Sequence, residues 1–377
     1  MHFELNESQQ KLVQMVRDFC LREVKPHATE WDREERFPRE VVAHLGELGL
    51  LGMTVPEELG GSALDTLSVA AVVEEIARWD GSLALTVASH NGLGTSHLLR
   101  FGNEELRRRY IPDIAAGRKL AAWGLTEPGS GSDAAGMRTT AVRKDKGWVL
   151  NGTKMFISHA DVAEWGVVFA RSDRAKGRGG ISAFIVEKGT PGFTARPIRT
   201  IRTAAVPCEV SLEDCRVPAE NLVGEEGRGL DLALGGLVRQ RFPYAATNLG
   251  VAVAAHRMAI EHAKHRETFG ARLKDRQAIQ WMLVDAEVEL RAARWLIWEG
   301  AWKADRGEDA RVEASIAKLY SSEVLGRVID SAVQIHGGYG VSKEFPLERW
   351  YREARVRRIG EGPSEVQRMV IARSLFR

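Results

Sequence analysis

The hydrophobic period of the chain changes twice, and this pattern limits the folds that the sequence can adopt. Up to about residue 120 apolar residues recur at helical spacing, as Leu12, Val16 and Phe19 do. Between about 121 and 225 the apolar runs become short and β-rich, as in WGVVFARS and ISAFIVEK, and turn residues separate them. The helical period then returns. We therefore predict a mainly α protein with a central β domain.

The length of 377 residues favours more than one domain. We predict an N-terminal α-helical domain over residues 1–120, a small middle β-barrel or sheet domain over 121–227, and a C-terminal four-helix bundle over 228–377. An apolar seam at spacings of three and four residues indicates the bundle. Its members are Leu283, Ala286, Leu290, Ala293 and Ile297.

The composition argues against several classes of protein. Lys and Arg number 53 and Asp and Glu 51, a net charge of +2, so we expect no nucleic-acid partner and no membrane surface partner. The three cysteines, Cys20, Cys208 and Cys215, form no metal-binding pattern, and their odd number fits a reducing compartment. The amino end lacks a signal-peptide pattern, and no apolar run reaches about twenty residues. We expect a cytoplasmic protein without a metal site.

Two segments of the predicted β region have distinctive turn chemistry. In GWVLNGTKMFIS the Asn151-Gly152 pair favours the positive φ angles of a tight hairpin turn. The loop LTEPGSGSD at 125–133 is dense in glycine and hydroxyl residues, whose N–H groups and hydroxyls can hold a planar cofactor or its phosphates. It is not a dinucleotide fingerprint, because Ala134 stands where the third glycine is needed. A plain linking loop is the alternative.

Two further segments could bind a nucleotide. RETFG at 266–270 pairs Arg266 with Phe269 at helical spacing, and a guanidinium suits a pyrophosphate while an aromatic ring suits a flat heterocycle. The alternative is a surface arginine above a core phenylalanine. QIHGGYG at 334–340 ends a predicted helix with Gly337 and Gly338, whose open backbone could meet a ligand or simply cap the helix.

The segment RIGEGPSEVQR places one carboxylate, Glu361, between two glycines. Glycines remove steric restrictions on both sides, so this acid can turn and be approached closely. Ser364 and Gln367 match a Ser-x-x-Gln capping box, which predicts a turn at Glu361 followed by the last helix. A surface glutamate in an ordinary loop is the alternative that this segment alone leaves open.

Taken together and in this order, LTEPGSGSD, NGTKMFIS, RETFG, QIHGGYG and GEGPSEVQR resemble the acyl-CoA dehydrogenase family over essentially the whole chain. The resemblance implies a flavoprotein that uses FAD to convert an acyl-CoA thioester to trans-2-enoyl-CoA in fatty-acid β-oxidation. It also implies electron transfer to an electron-transfer flavoprotein and a homotetramer built as a dimer of dimers. A shared cofactor site between neighbouring subunits accompanies this assembly.

The resemblance also implies roles for individual residues. Glu361 matches the catalytic base that takes the α-proton while the β-hydrogen leaves as hydride to FAD N5. Arg241 and Gly362 match residues near the thioester, and Ser132 matches a serine that contacts cofactor or substrate. Residues matching the family's flavin contacts are Trp123, Leu125, Thr126, Phe156 and Ser158. Those matching its adenosine and pyrophosphate contacts are Arg266, Phe269, Gln277, Gln334, Gly337 and Gly338.

Three positions refine this comparison. Some members carry the base at the position of Gln240, which is not a useful proton acceptor at neutral pH, so Glu361 has no obvious rival. Gly360 stands where many members have tyrosine, and Pro363 where many have a threonine that binds FAD. These differences at positions 360 and 363 mean that the family pattern does not predict which acyl chain the protein prefers.

Two other functions fit the same resemblance. A flavin oxidase or monooxygenase on this scaffold would pass electrons to oxygen instead of a protein. A non-catalytic relative that binds DNA would need a basic extension, whereas the chain ends at IARSLFR and Glu353 interrupts the basic run RWYREARVRR. We expect no such binding.

Overall fold

The computed structural model describes residues 4–202 and 206–376. These residues form two compact units. The helical unit comprises the chain up to Glu34, Thr66–Leu85 and the chain from Arg241 onward, and the sheet unit comprises Glu35–Asp65 and Thr86–Gln240. The predicted order of helical, β and helical regions is confirmed. The domain boundaries at 120 and 227 stay predictions.

The α-helices carry most of the regular structure. In chain order they are α1 Glu7–Phe19, α2 Ala28–Arg33, α3 Arg39–Glu47, α4 Thr66–Ala77, α5 Gly81–Ser89, α6 Ser96–Phe101, α7 Glu104–Ala115, α8 Gly229–His265, α9 Gln277–Asp305, α10 Arg311–His336, α11 Pro346–Arg357 and α12 Ser364–Leu375. A capping box starts α1, since Asn6 and Gln9 exchange side-chain and backbone hydrogen bonds. Across residues 4–202 and 206–376, none of these helices combines the length and the apolarity that crossing a membrane requires.

Apolar helix faces form the core of the helical unit. Helix α4 packs against α1 and α9, and α10 packs against α9, α11 and α12. The seam predicted on α9 is buried at Ala286, Leu290, Ala293 and Ile297, and Leu283 is half-buried. Spacing at 3.6 residues per turn places these side chains on one face, which explains why the sequence pattern identified it.

The strands of the sheet unit form one mixed sheet. In chain order they are β1 Ala121–Gly124, β2 Thr140–Lys144, β3 Gly147–Ser158, β4 Trp165–Arg171, β5 Ile181–Glu187, β6 Phe193–Pro197, β7 Pro207–Pro218 and β8 Leu222–Val223. Their order across the sheet is β6-β7-β3-β2-β4-β5-β8, and β1 pairs in parallel with β4. The antiparallel neighbours β3 and β7 pair along most of their length.

One hydrophobic cluster joins the sheet to helices of the same unit. Ile111 and Ile114 of α7 are fully buried together with Val167 and Phe169 of β4. Alternate residues of a strand face opposite sides of a sheet, and 167 and 169 therefore present one apolar face to the helix. This packing buries one face of β4, the strand with which β1 pairs.

The hairpin predicted at Asn151-Gly152 is wrong. Both residues lie inside the continuous strand β3, and the chain reverses instead at Asp145 and Lys146 between β2 and β3. The pairing of β3 with β7 shifts register beside Gly152, where φ is 148°. Asn151 also exchanges two hydrogen bonds with Asp214 of β7. A contact distant in sequence therefore outweighs the local turn preference.

Candidate active site

Glu361 lies in the turn that links α11 to α12, and its backbone is left-handed. Its φ angle is 53° and that of Gly362 is 91°. A left-handed conformation is uncommon for a residue other than glycine and is costly unless the surroundings hold it. The turn is held at both ends, because the N–H of Gly360 donates to Val356 O at 3.1 Å and the N–H of Ser364 donates to Arg358 O at 3.1 Å.

The capping box predicted at Ser364 is wrong. Pro363 is the N-cap residue and α12 begins at Ser364, so the helix starts one residue earlier than the pattern indicated. The Ser364 hydroxyl donates to Glu323 Oε1 at 2.8 Å. The side-chain amide of Gln367 instead donates to the carbonyls of Glu361, at 3.2 Å, and Gly362, at 2.8 Å. Gln367 thus holds the Glu361 turn from the helix that follows it.

Two cations of the helical unit surround this turn. The Lys318 ammonium donates to Gly362 O at 2.8 Å and to Arg358 O at 3.3 Å. Arg241 approaches from α8, and a Cβ added to Gly362 would lie 3.6 Å from its Nη2. Burial lowers the pKa of both cations, that of Lys318 to about 8, while the attraction of Glu361 acts in the opposite direction. Glu361 and its predicted neighbours Arg241 and Gly362 are therefore brought together.

Tyr244 of α8 occupies the space beside Gly360. A Cβ added at Gly360 would lie 2.5 Å from the Tyr244 hydroxyl oxygen and 3.4 Å from Cζ. The hydroxyl donates to Arg357 O at 3.4 Å, and the Tyr244 side chain is buried. The absence of a side chain at position 360 is thus matched by an aromatic residue that reaches the same place from another helix.

In the sheet unit, β1 and β3 bring together two of the predicted cofactor segments. Trp123 lies in β1, and Leu125 and Thr126 are the first two residues after this strand. The N–H of Met155 donates to Thr126 O at 2.8 Å, and Lys154 Nζ donates to Leu125 O at 3.2 Å. The two segments therefore lie beside one another.

Lys154 and Glu127 form a buried ion pair that clamps the glycine-rich loop. Their charged atoms are 2.8 Å apart and both side chains are almost completely buried. The Glu127 carboxylate also accepts the N–H groups of Arg138 at 2.6 Å and Thr139 at 2.9 Å. Burial would raise the pKa of Glu127, but the nearby Lys154 and these hydrogen bonds outweigh it and the pKa is lowered. The clamp therefore ties the start of the loop to β3 and to the residues just before β2.

Phe156 stands out from the strand in which it lies. Its φ angle is 60°, it falls in the irregular pairing between Lys154 and Ile157, and 60% of its surface is exposed. A β-bulge turns a side chain away from the regular alternation of a strand. Ser158 ends the same strand and is half-buried. The bulge therefore presents an aromatic ring two residues before the Ser158 hydroxyl.

The glycine-rich loop leaves its backbone open. No described atom beyond the chain neighbours lies within 4 Å of a Cβ built on Gly129 or Gly131, and Ser132 is exposed. Ser130 closes the turn by donating to Asp133 O at 2.5 Å. Exposed N–H groups, hydroxyls and an aromatic ring are the groups that a flavin ring with its ribityl and phosphate groups requires, so this set fits such a cofactor.

The motifs predicted to contact adenosine and pyrophosphate meet at the C-terminal ends of α8 and α10. His262 of α8 and His336 of α10 stack with ring centroids 4.2 Å apart. After α8 the chain forms a small hairpin of β9, Glu267–Thr268, and β10, Ala271–Arg272. Consecutive positive φ angles at Phe269 and Gly270 make its turn, so the helical spacing expected for Arg266 and Phe269 does not apply.

This motif cluster of the helical unit is open to solvent. Phe269 is 100% exposed and is not a core residue, and Arg266 is also exposed. Gly337 ends α10 with φ 59°, as the glycine pair predicted, and no described atom beyond the neighbours approaches a Cβ built there or on Gly338. The remaining predicted residues, Gln277 at the start of α9 and Gln334 near the end of α10, are exposed.

The sequence predictions missed Lys318, Lys154, Glu127 and Tyr244. A signal for Lys318 was available, because it lies on the buried stripe of α10 at helical spacing from Ala314, Ser321 and Leu325. Lysine is rarely buried unless it has a specific partner. No comparable signal marks Lys154, because the register shifts in β3 hide which of its residues face inward.

Comparison with known proteins agrees with this geometry. Models of the acyl-CoA dehydrogenase N-terminal, middle and C-terminal domains match residues 6–118, 122–215 and 227–376. The short-chain specific acyl-CoA dehydrogenase of Clostridium acetobutylicum is 40% identical over 380 residues and covers 100% of both chains.

Two solved structures have nearly the same fold. Butyryl-CoA dehydrogenase from Megasphaera elsdenii has a TM-score of 0.98 and 39% identity, with 100% of both chains covered. A chain from a study of the electron transferring flavoprotein of Acidaminococcus fermentans has a TM-score of 0.98 and 38% identity, again over 100% of both chains. The chain therefore belongs to the acyl-CoA dehydrogenase family of flavin-dependent oxidoreductases.

Proposed function

We propose that this protein is an FAD-dependent acyl-CoA dehydrogenase that converts an acyl-CoA thioester to trans-2-enoyl-CoA in fatty-acid β-oxidation. The observation that carries the proposal is the Glu361 turn, in which a left-handed carboxylate residue is held by Lys318 and Gln367 with Arg241 beside it. Family membership supports the reaction class, and the role of Glu361 as base is our assignment.

The chemistry requires a base that is ionised and fixed before substrate arrives. An α-proton of a thioester is far less acidic than a carboxylic acid, so the carboxylate of Glu361 has to meet it at close range with little reorganisation. Two buried cations nearby favour the ionised carboxylate. Arg241 and Gly362 would line the thioester end of the site. FAD, when bound, would supply the acceptor for the β-hydrogen as hydride.

The sheet unit would hold the flavin. We assign the ring contacts to Trp123, Leu125 and Thr126 on one side, and to Phe156 on the bulge and Ser158 just after it on the other. Ser132, in the loop that Glu127 and Lys154 clamp, would donate to cofactor or substrate. The open backbone of Gly129 and Gly131 supports this assignment, because a cofactor can approach it without a steric clash.

We further propose a homotetramer in which a neighbouring subunit completes the cofactor site. The exposed Arg266 and Phe269 would bind the pyrophosphate and adenosine of the neighbour's FAD together with Gln277, Gln334, Gly337 and Gly338. Electrons would pass to an electron-transfer flavoprotein. The relatives named for short-chain and butyryl substrates make butyryl-CoA the first acyl-CoA to test.

An anaerobic titration tests the function. The FAD-loaded protein is mixed with butyryl-, octanoyl-, palmitoyl-, isobutyryl- and phenylpropionyl-CoA, and loss of the visible absorbance of oxidised flavin is followed. We expect at least one of these acyl-CoAs to bleach the flavin. In Glu361→Gln, which retains the shape of the side chain but not its basicity, the rate of bleaching should fall by a factor of about 10³ or more. No bleaching by any acyl-CoA would contradict the proposal.

The electron acceptor separates the proposed function from an oxidase. The reduced protein is mixed with electron-transfer flavoprotein or with oxygen in parallel experiments. Fast reoxidation by the protein acceptor with slow oxygen consumption is expected. The opposite result would assign an oxidase or monooxygenase reaction to the same scaffold.

A further inference from the structure

Lys318 is a fully buried lysine that the proposed reaction does not use directly. Its side chain has 0% relative exposure although it lies in the middle of α10. Removing an ammonium group from water is strongly unfavourable unless other interactions compensate. A buried lysine in this position therefore requires a specific reason.

The ammonium group joins the two sides of the Glu361 turn. It donates to Arg358 O, three residues before Glu361, at 3.3 Å and to Gly362 O, one residue after it, at 2.8 Å. The Tyr244 ring lies beneath it, with the centroid 5.9 Å from Nζ. One cation therefore spans the backbone on both sides of the left-handed residue.

These two carbonyls do not depend on Lys318 for a hydrogen-bond partner. Arg358 O also accepts the N–H of Ser364, and Gly362 O also accepts the side-chain amide of Gln367. Satisfying the carbonyls alone does not explain why a charge is buried here. The charge itself is the feature that remains to be explained.

The charged groups that act on Lys318 come from several elements. Glu361, Glu323 and Glu365 attract it, and Arg241 repels it. After the effect of burial, the interaction with Glu361 is the largest of these. Glu323 has other partners of its own, since it accepts from the Ser364 hydroxyl and pairs with Arg358 at 3.2 Å.

We propose that Lys318 is a positioning residue that fixes the Glu361 turn and holds the carboxylate of Glu361 in its ionised form. The inference depends on the proposed role of Glu361 as base. Lys318 itself touches neither the reacting carbon nor the flavin in this role. It acts through the backbone at Arg358 and Gly362 and through its charge.

Lys318→Met is the informative variant, because methionine fills a similar volume without charge or donors. The fold should tolerate it, because both carbonyls keep one partner and because Glu361 is only half-buried, so that water can solvate its carboxylate when the cation is removed. Arg327→Met is the matched control. Arg327 lies on the same helix, but it is half exposed and forms a surface ion pair with Glu289.

Two measurements test the inference. Hydrogen exchange of the apoprotein, which needs neither FAD nor substrate, should show faster exchange in residues 358–368 of Lys318→Met and no change in Arg327→Met. In the FAD-loaded protein, flavin reduction should slow by about tenfold or more. The acid limb of the pH profile of the flavin reduction rate should move to higher pH by about 1 unit in Lys318→Met. The reason is that a neighbouring cation favours the ionised carboxylate and its loss makes Glu361 easier to protonate.

The outcomes separate this inference from the proposed function. If the parent reduces its flavin and Lys318→Met shows the parent's exchange rates and acid limb, Lys318 is not a positioning residue although the enzyme assignment stands. If the parent reduces no flavin with any acyl-CoA, the proposed function fails, and the exchange experiment alone decides whether Lys318 orders the turn. Should Lys318→Met be insoluble, Lys318→Gln, which also lacks the charge, must show the same shift of the acid limb, and a parent-like limb overturns the inference.

Discussion

At the scale of single residues, the site depends on matched pairs rather than on isolated groups. Gly360 leaves the space that Tyr244 occupies, and Lys318 joins the carbonyls on both sides of Glu361. In each case one partner comes from the turn and the other from a long helix of the helical unit. The substitution of one partner should therefore have an effect that depends on the other.

Gly360→Ala should destabilise the protein because its new Cβ would lie 2.5 Å from the Tyr244 hydroxyl. Overpacking of this kind costs roughly 1–3 kcal/mol. Tyr244→Phe removes the oxygen in conflict, so the double variant should recover much of this loss. Urea unfolding of the parent, the two single variants and the double variant gives the coupling free energy between positions 360 and 244 directly.

Gly235→Ala is the control for this cycle. Gly235 lies in α8 with open space around its Cβ position, and alanine there should leave stability unchanged or raise it by about 0.5–1 kcal/mol. Additive effects of Gly360→Ala and Tyr244→Phe would show that the two positions do not share a space.

At the scale of elements, buried charges fix where helices of the helical unit begin and how they pack. Asp80 precedes α5 and accepts the N–H of Leu83 at 2.7 Å, the interaction of a helix N-cap. It is buried with Arg349 of α11, whose Nη2 is 3.9 Å away, and near Glu353. The start of α5 and the helix that leads to the Glu361 turn are thereby connected.

Asp80 should make stability depend on pH. Burial raises the pKa of Asp80 to about 6. The positive charge of Arg349 acts to lower this pKa, and the negative charge of Glu353 acts to raise it. The folded state then binds a proton more tightly than the unfolded state. Its contribution to stability is complete below the ordinary aspartate pKa of about 4 and is lost as pH rises to about 6.

Asp80→Asn should remove this dependence. Asparagine keeps an acceptor for the Leu83 N–H but does not titrate, so the fall in unfolding free energy between pH 4 and 6, on the order of 2–3 kcal/mol, should disappear relative to the parent. Denaturant unfolding of the parent and of Asp80→Asn at several pH values measures this pH dependence. Equal pH slopes in the two proteins would contradict the assignment.

At the scale of the whole molecule, the order of regions and the main apolar faces could be predicted because local period determines them. The α9 seam and the glycine end of α10 follow from spacing and backbone freedom alone. Asn151 could not be placed, since its partner Asp214 is 63 residues away. The Ser364 hydroxyl likewise binds Glu323 of another helix instead of capping α12. The partner of Lys154 lies in another segment, whereas the buried stripe of α10 did offer a signal for Lys318.

Phe269→Ala tests whether the molecule completes its cofactor site by assembly. The side chain is 100% exposed in the single chain, so its loss should not change the thermal midpoint of the apoprotein. If a neighbour's adenosine covers it, FAD binding should weaken by about 10- to 100-fold, in line with the roughly 1.5–3 kcal/mol of a buried aromatic side chain. Fluorescence titration measures the affinity for FAD, and light scattering measures the mass of the assembled protein.

Phe376→Ala provides the comparison, because Phe376 is 89% exposed and lies outside the motifs proposed to bind the cofactor. It should leave FAD affinity unchanged. Equal FAD affinity of parent and Phe269→Ala would show that this ring takes no part in cofactor binding.

The left-handed backbone at position 361 also restricts how the reaction could be lost during evolution. β-Branched residues are strongly disfavoured at a φ of 53°, whereas glycine, asparagine and aspartate accept it. Descendants of this chain that abandon the reaction while keeping the fold should therefore carry one of these three residues or another residue that is not branched at Cβ. Valine, isoleucine and threonine should be absent there unless the turn itself has been rebuilt.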